Sequence, residues 1–163
     1  MTMASVLKWH RFKQDDMGVY LLIEDRVMSS IISHAFPKNG KENGGFLVGK
    51  YRWGNVALIF KEIQPARINS TPMSCIRYTE GMEYVWDTLY EKEGLIYLGE
   101  WHSHPEGSSR YSSTDLRTMI ELKDDAQMNI RFPIFLIIGG SKSSHKISIY
   151  TIFQNKIYGF KRY

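Results

Sequence analysis

The segment Gly99–Asp115, GEWHSHPEGSSRYSSTD, constrains this chain more than any other, because it brings His102, His104 and Asp115 together within one strand-loop-helix unit. Side chains alternate faces along an extended segment, so His102 and His104 point the same way. Pro105 cannot continue a sheet ladder and turns the chain out of it. The loop Glu106–Tyr111 that follows is long enough for Asp115 to fold back toward the two imidazoles. Two neutral imidazoles and a carboxylate are the set that Zn²⁺ takes in a catalytic site, with a fourth position left open. A fold that satisfies this unit must end a strand at Pro105 and start a helix beside it.

The rest of the chain supplies elements for such a fold. Its 163 residues, 43% hydrophobic and 13% aromatic, suffice for one domain with a real core. Residues 1–14 read as a mixed, partly extended N-terminal extension. Met17–Ile23 reads as a strand, and Glu24–Phe36 as a helix closed by Pro37. The glycine-rich loop Lys38–Gly45 leads into a strand over Phe46–Tyr51. Trp53-Gly54-Asn55 turns it back into Val56–Ile63. Pro65–Ser74 reads as a long irregular connection with room for an extended segment, and Thr79–Glu93 as a helix stopped by Gly94. Leu95–His102 is the strand that bears the histidines. Ser112 opens the next helix, Pro133–Ile138 is a buried strand, and Ile147–Phe160 is a closing hairpin. Strands at both ends with helices between them predict one α/β domain around a mixed sheet.

Amide hydrolysis at such a metal needs a carboxylate that is near the ion without being its ligand. Glu42 qualifies because its loop opens a strand. Glu100 also qualifies, being nearer in sequence and on the same strand face as His102. Ser112 likewise has two readings: a helix N-cap bonding the amide of Asp115, or a hydroxyl that donates to an oxyanion. His10, His34 and His145 read as ordinary satisfied polar residues. The single cysteine, Cys75, excludes an internal disulfide and reads as an unreactive thiol in a reducing compartment. Trp86, Tyr90, Phe135 and Phe153 read as core, whereas Trp9, Trp101 and Tyr111 suit either packing or a substrate groove.

The net charge of +4 is carried by scattered Lys and Arg residues, which reads as solvated surface rather than as a face for nucleic acid. No stretch is apolar enough for a signal peptide or a membrane span. The expectation is a soluble, cytoplasmic protein.

His102-Ser103-His104-Pro105 with Ser112-Ser113-Thr114-Asp115, preceded by Glu42-Asn43-Gly44-Gly45-Phe46-Leu47-Val48-Gly49, resembles the signature of the JAMM metallopeptidases of the MPN/Mov34/PAD-1 superfamily. The order of elements over residues 15–163 is also similar to that family's domain. The resemblance implies a single MPN-like α/β domain, layered as in the cytidine deaminases, with a mixed sheet flanked by helices. It implies one Zn²⁺ per chain held by His102, His104 and Asp115, with Glu42 as general acid/base and Ser112 as the oxyanion donor. Family members with the full set cleave the isopeptide bond between a ubiquitin-like C-terminus and a target lysine. The Glu42–Gly49 segment and Ile137-Ile138-Gly139-Gly140 look like a bacterial branch found with ubiquitin-like conjugation machinery in CBASS antiphage operons. There the peptidase removes an E1/E2-built conjugate from a cyclic-nucleotide-producing nucleotidyltransferase (CD-NTase).

Two rival functions share these motifs. One is a peptidase acting on a linear fusion or a carrier-protein precursor. The other is a DNA-associated domain of RadC type, which also carries His-x-His-Pro and Ser-x-x-Asp but has an appended helix-hairpin-helix that this sequence lacks.

Overall fold

A computed structural model describes residues 6–125 and 130–163. Its strands are β1 (Trp9–Gln14), β2 (Val19–Glu24), β3 (Gly44–Arg52), β4 (Val56–Ile63), β5 (Arg67–Thr71), β6 (Ser74–Tyr78), β7 (Ile96–Pro105), β8 (Ile134–Gly140), β9 (His145–Phe153), β10 (Lys156–Gly159) and β11 (Lys161–Arg162). The helices among the described residues are α1 (Asp25–Ala35), α2 (Glu83–Glu93) and α3 (Ser113–Asp124). Nine strands form one mixed sheet in the order β10-β9-β8-β7-β3-β4-β2-β1-β11, with β5 and β6 as a separate hairpin.

The strand order forces the sheet to curl. Strands β10 and β11 lie at opposite edges, yet only Phe160 separates them in sequence. The Phe160 amide donates to the Ile149 carbonyl of β9, and the Tyr163 amide donates to the Arg11 carbonyl of β1. One short stretch of chain therefore ties both edges together into a barrel-like shape, where a terminal hairpin alone is expected from the sequence. Its counterpart at the other end of the chain is β1, which pairs along its whole length with β2. The sheet thus takes in Trp9–Gln14, part of the segment 1–14 set apart in the sequence reading; residues 1–5 of that segment lie outside the described residues.

Alternation along the strands separates an inside from an outside. Ile134, Leu136 and Ile138 of β8 join Leu21, Ile23, Leu47, Ile59, Leu98 and Trp101 in the main core, which α1 fills with Val27, Met28, Ile31 and Ala35. The intervening Phe135 and Ile137 face outward beneath Met119 of α3. Val48 of β3 faces outward beneath Leu89 of α2. Trp101 is fully buried and so is core rather than groove lining, whereas Tyr90 and Phe153 are 65% and 48% exposed and are not core. Helix α2 buries only Leu89 fully, which leaves Tyr90 on its solvent side.

The connection after Pro65 is ordered as the β5–β6 hairpin. Its strands, RINST and SCIRY, have no apolar alternation from which a strand could be read. The turn is held by side chains instead: Thr71 Oγ1 accepts from the Met73 amide at 3.2 Å and meets Ser74 Oγ at 2.8 Å.

Ile31 sits on the inner face of α1 with no exposed surface. Replacing it with alanine is expected to lower the unfolding free energy by about 2–4 kcal/mol, read from urea denaturation with an unchanged m-value.

Candidate active site and metal centre

The antiparallel pairing of β3 with β7 builds the site. Gly44 pairs with His102 and Gly45 with Trp101. Continued past the strand end, that register sets Asn43 against Ser103, and the Ser103 amide donates to the Asn43 carbonyl at 2.8 Å. One step further, Glu42 lies opposite His104, its Oε1 3.9 Å from His104 Nε2. The Glu42 amide donates to the Thr71 carbonyl of the hairpin, which holds this end of the loop.

Both glycines are required by what lies on either side. A Cβ at Gly44 would stand 2.6 Å from the Trp101 carbonyl oxygen and 3.0 Å from Arg77 on the outer face. At Gly45 it would stand 2.6 Å from Trp101 Nε1 on the inner face, where that N–H donates to Glu62 Oε2 at 3.1 Å. The glycines thus let a buried guanidinium and a buried indole flank one strand.

His102 Nε2 and His104 Nε2 lie 3.0 Å apart. Asp115 Oδ1 is 3.0 Å from the first and Asp115 Oδ2 is 3.3 Å from the second. Zinc bonds of about 2.0–2.1 Å in a tetrahedron set donor–donor edges of about 3.3 Å, so this triangle has the size and chemistry to hold zinc. His104 Nδ1 is 2.8 Å from the Ser108 carbonyl oxygen, which can only accept, so Nδ1 carries the proton and Nε2 presents its lone pair. Burial lowers the pKa of His102. The Asp115 carboxylate, acting against burial, raises that of His104. Burial pushes the Asp115 carboxyl up, but hydrogen bonds from the two imidazoles outweigh it and hold the group well below the usual carboxylate range.

The helix cap aims Asp115. Ser112 Oγ accepts from the Asp115 amide at 3.1 Å, and the Ser112 amide donates to Asp115 Oδ2 at 2.7 Å, a complete capping box. The two readings of Ser112 do not compete, because capping uses a lone pair of the hydroxyl and leaves its O–H free to donate.

The two candidate carboxylates separate cleanly. Glu100 shares the outer face of β7 with the histidines, but its Oε2 accepts from Arg77 Nε at 3.0 Å and from Arg77 Nη2, and its Oε1 accepts from the Tyr97 hydroxyl at 3.0 Å. Arg77 is buried and, despite the desolvation, keeps its charge beside Glu100. Glu100 is thus held as a structural counter-ion. Burial instead raises the Glu42 carboxyl to about 7, with the nearby His104 opposing the shift and Asp115 adding to it.

Arg77 and Cys75 border the same pocket as Glu42, His102, Ser112 and Asp115, which the sequence did not reveal. No periodicity marks β6, so nothing in the sequence pointed Arg77 at Glu100. Burial raises the Cys75 thiol, the direction of an unreactive cysteine. The other histidines lie away from this cluster: His10 bonds Asp25 and Arg162, His34 bonds Glu62, and the His145 ring packs beside Phe36.

A curled α/β sheet with a His-x-His pair at a strand end, completed by an aspartate in the first turn of a helix, defines a JAB-type domain. Residues 24–152 match the profile of the prokaryotic homologs of the JAB domain, and the chain belongs to that family. Over 122 residues, 74% of this chain and 67% of the relative, it is 27% identical to the CD-NTase/cGAS isopeptidase of Enterobacter hormaechei subsp. hoffmannii (strain UCI 50). Its fold is similar to the solution structure of protein DSY2949 from Desulfitobacterium hafniense, with a TM-score of 0.59, 21% identity and coverage of 86% and 88% of the two chains.

The raised Glu42 pKa has a consequence for stability. A folded value of about 7 against an ordinary 4.5 means that folding favours the protonated carboxyl. Its contribution is fully present below about pH 4.5 and is lost as pH rises through about 7. In chelated, metal-free protein, Glu42→Gln is expected to stabilise the fold by about 1–2 kcal/mol near pH 8.5, after a discount for solvent screening, and by almost nothing near pH 4. Urea denaturation at the two pH values reads this directly.

Proposed function

We propose that this chain is a zinc-dependent isopeptidase that hydrolyses the amide between a ubiquitin-like C-terminus, or a protein conjugated in the same way, and its target. The observation that carries this reading is a buried carboxylate, Glu42, whose pKa that burial raises and whose Oε1 lies 3.9 Å from His104 Nε2, facing a three-donor group to which it does not belong. A general base works best when its pKa lies near the operating pH.

Zinc held by His102, His104 and Asp115 would supply Lewis-acid chemistry, acidifying a water and polarising a carbonyl. Glu42 accepts the proton of the attacking water and returns it to the departing amine. The free O–H of Ser112, on the pocket wall, donates to the oxyanion as it develops. The Arg77–Glu100 pair keeps a second carboxylate out of the proton transfer and fastens the β5–β6 hairpin to β7. Met73, Ser74 and Cys75 of that hairpin border the pocket and offer an extended chain a strand to lie along.

Similarity to a CD-NTase/cGAS isopeptidase supports a nucleotidyltransferase conjugate as the natural substrate, and with it a place in antiphage signalling. The test is cleavage of a reconstituted CD-NTase conjugate beside a linear fusion of the same sequences. The conjugate is expected to be cleaved and the fusion spared; the reverse preference would replace the isopeptidase reading with a linear peptidase.

Chelation is expected to abolish cleavage and added zinc to restore it, with one ion per chain by metal analysis. Glu42→Gln is expected to keep that zinc and lose about 10²–10⁴-fold in kcat. His104→Ala is expected to lose the zinc itself. Cleavage by Glu42→Gln at the wild-type rate would remove Glu42 from the mechanism.

A further inference from the structure

The last pair of the β3–β7 ladder before the site is irregular. In an antiparallel ladder, two residues that face each other as a hydrogen-bonded pair exchange both backbone bonds. Asn43 and Ser103 exchange only one through the backbone, from the Ser103 amide to the Asn43 carbonyl. The return bond, from the Asn43 amide, goes to the Ser103 hydroxyl at 2.9 Å. A side chain here takes the place of a carbonyl, and the β3 strand leaves the sheet at this point.

Ser103 lies between the ligand residues His102 and His104 and is fully buried. Asn43 directly follows Glu42. Its side-chain amide donates to the His34 carbonyl at the end of α1, at 2.8 Å. His34 is held in turn, its Nδ1 2.7 Å from Glu62 Oε1. Glu62 is 3% exposed at its side chain and also accepts from Ser30 and from Trp101, the residue before His102. Glu42 and the metal ligands are thus anchored to one buried carboxylate by two routes, which meet at the Asn43–Ser103 pair.

We infer that Ser103 is a positioning residue: its hydroxyl, gripping the Asn43 amide, sets the distance between Glu42 and the metal donors. This inference rests on the reading of Glu42 as the general base. Ser103 touches neither substrate nor donor atoms and acts only through the loop that carries Glu42. Without the hydroxyl, the Asn43 amide loses its partner and the loop shifts toward an ordinary strand path or frays. A misplacement of about 1 Å at a reacting group costs about 10²-fold in rate.

The experiment uses the zinc-loaded protein and a defined probe, a glycine-terminated peptide joined to the Nε of lysine. Ser103→Ala is expected to lower kcat about 10²-fold, with KM within about twofold of wild type and one zinc still bound per chain. Ser103→Thr, which keeps the oxygen, is expected to recover most of the loss. In a Glu42→Gln background, Ser103→Ala is expected to cost nothing further, because the group it positions is gone. An equal loss in both backgrounds, or loss of zinc from Ser103→Ala, would overturn the inference.

Amide hydrogen exchange supplies a readout that needs no activity. The Asn43 amide is expected to exchange about tenfold or more faster in Ser103→Ala than in wild type, as for loss of one hydrogen bond, while the Trp101 and His102 amides are unchanged. Equal Asn43 exchange in the two proteins would overturn the inference on its own. A wild-type protein inert on the probe would instead count against the isopeptidase reading, and the exchange data would then decide the role of Ser103.

Discussion

The site depends on the register between two antiparallel strands. Because Gly44 pairs with His102, every residue upstream of Gly44 has an assigned partner downstream of His102, and Glu42 falls opposite His104. A slip by one residue would turn Glu42 to the inner face of the sheet and away from His102, His104 and Asp115. The register is fixed on the inner side by Trp101 bonding Glu62 and on the outer side by Arg77 lying against Gly44. The geometry of this cluster is therefore a property of the core packing rather than of the loop that carries Glu42.

Two carboxylates on one face of the molecule have been driven to opposite electrostatic conditions. Glu100 is held by hydrogen bonds from a guanidinium and a phenol. Glu42 is buried with only His104 nearby, 3.9 Å away, and burial outweighs that neighbour and raises its carboxyl. The difference lies in one residue, Arg77, supplied by a hairpin inserted between β4 and α2. A buried pair of this kind contributes little net stability, since desolvation offsets most of its attraction, but it ties the hairpin to the strand that bears His102 and His104.

Much of this was legible in the sequence, for identifiable reasons. The strand-turn-helix unit around His102–Asp115 announces itself through Pro105, the Ser112 cap and alternation. The hairpin around Trp53-Gly54-Asn55 reads from turn chemistry, as does the end of α2 at Gly94. The β5–β6 hairpin was not legible, because its strands are polar on both faces and it is held by Thr71 and Ser74 rather than by an apolar period. The assignment of Tyr90 and Phe153 to the core failed because helical or strand spacing shows which residues share a face, not whether that face is covered. Glu42 could not be separated from Glu100 by local pattern, since the deciding residue, Arg77, lies in the segment that carries no pattern. The motif resemblance pointed to Glu42, and the Arg77–Glu100 contact supplies a physical account of that choice.

The stretch that joins the two sheet edges ties the fate of the chain's first and last strands together. Strand β1 has one flank on β2 and the other on β11, so the Trp9–Gln14 strand gains its second neighbour from residues at the far end of the sequence. Contacts so distant in sequence make closure of the loop late and slow during folding. On the ribosome, β1 would have β2 on one flank and an open edge on the other until β11 emerges. In the finished protein, loosening β11 would open the seam and leave β1 as a bare edge held by β2 alone.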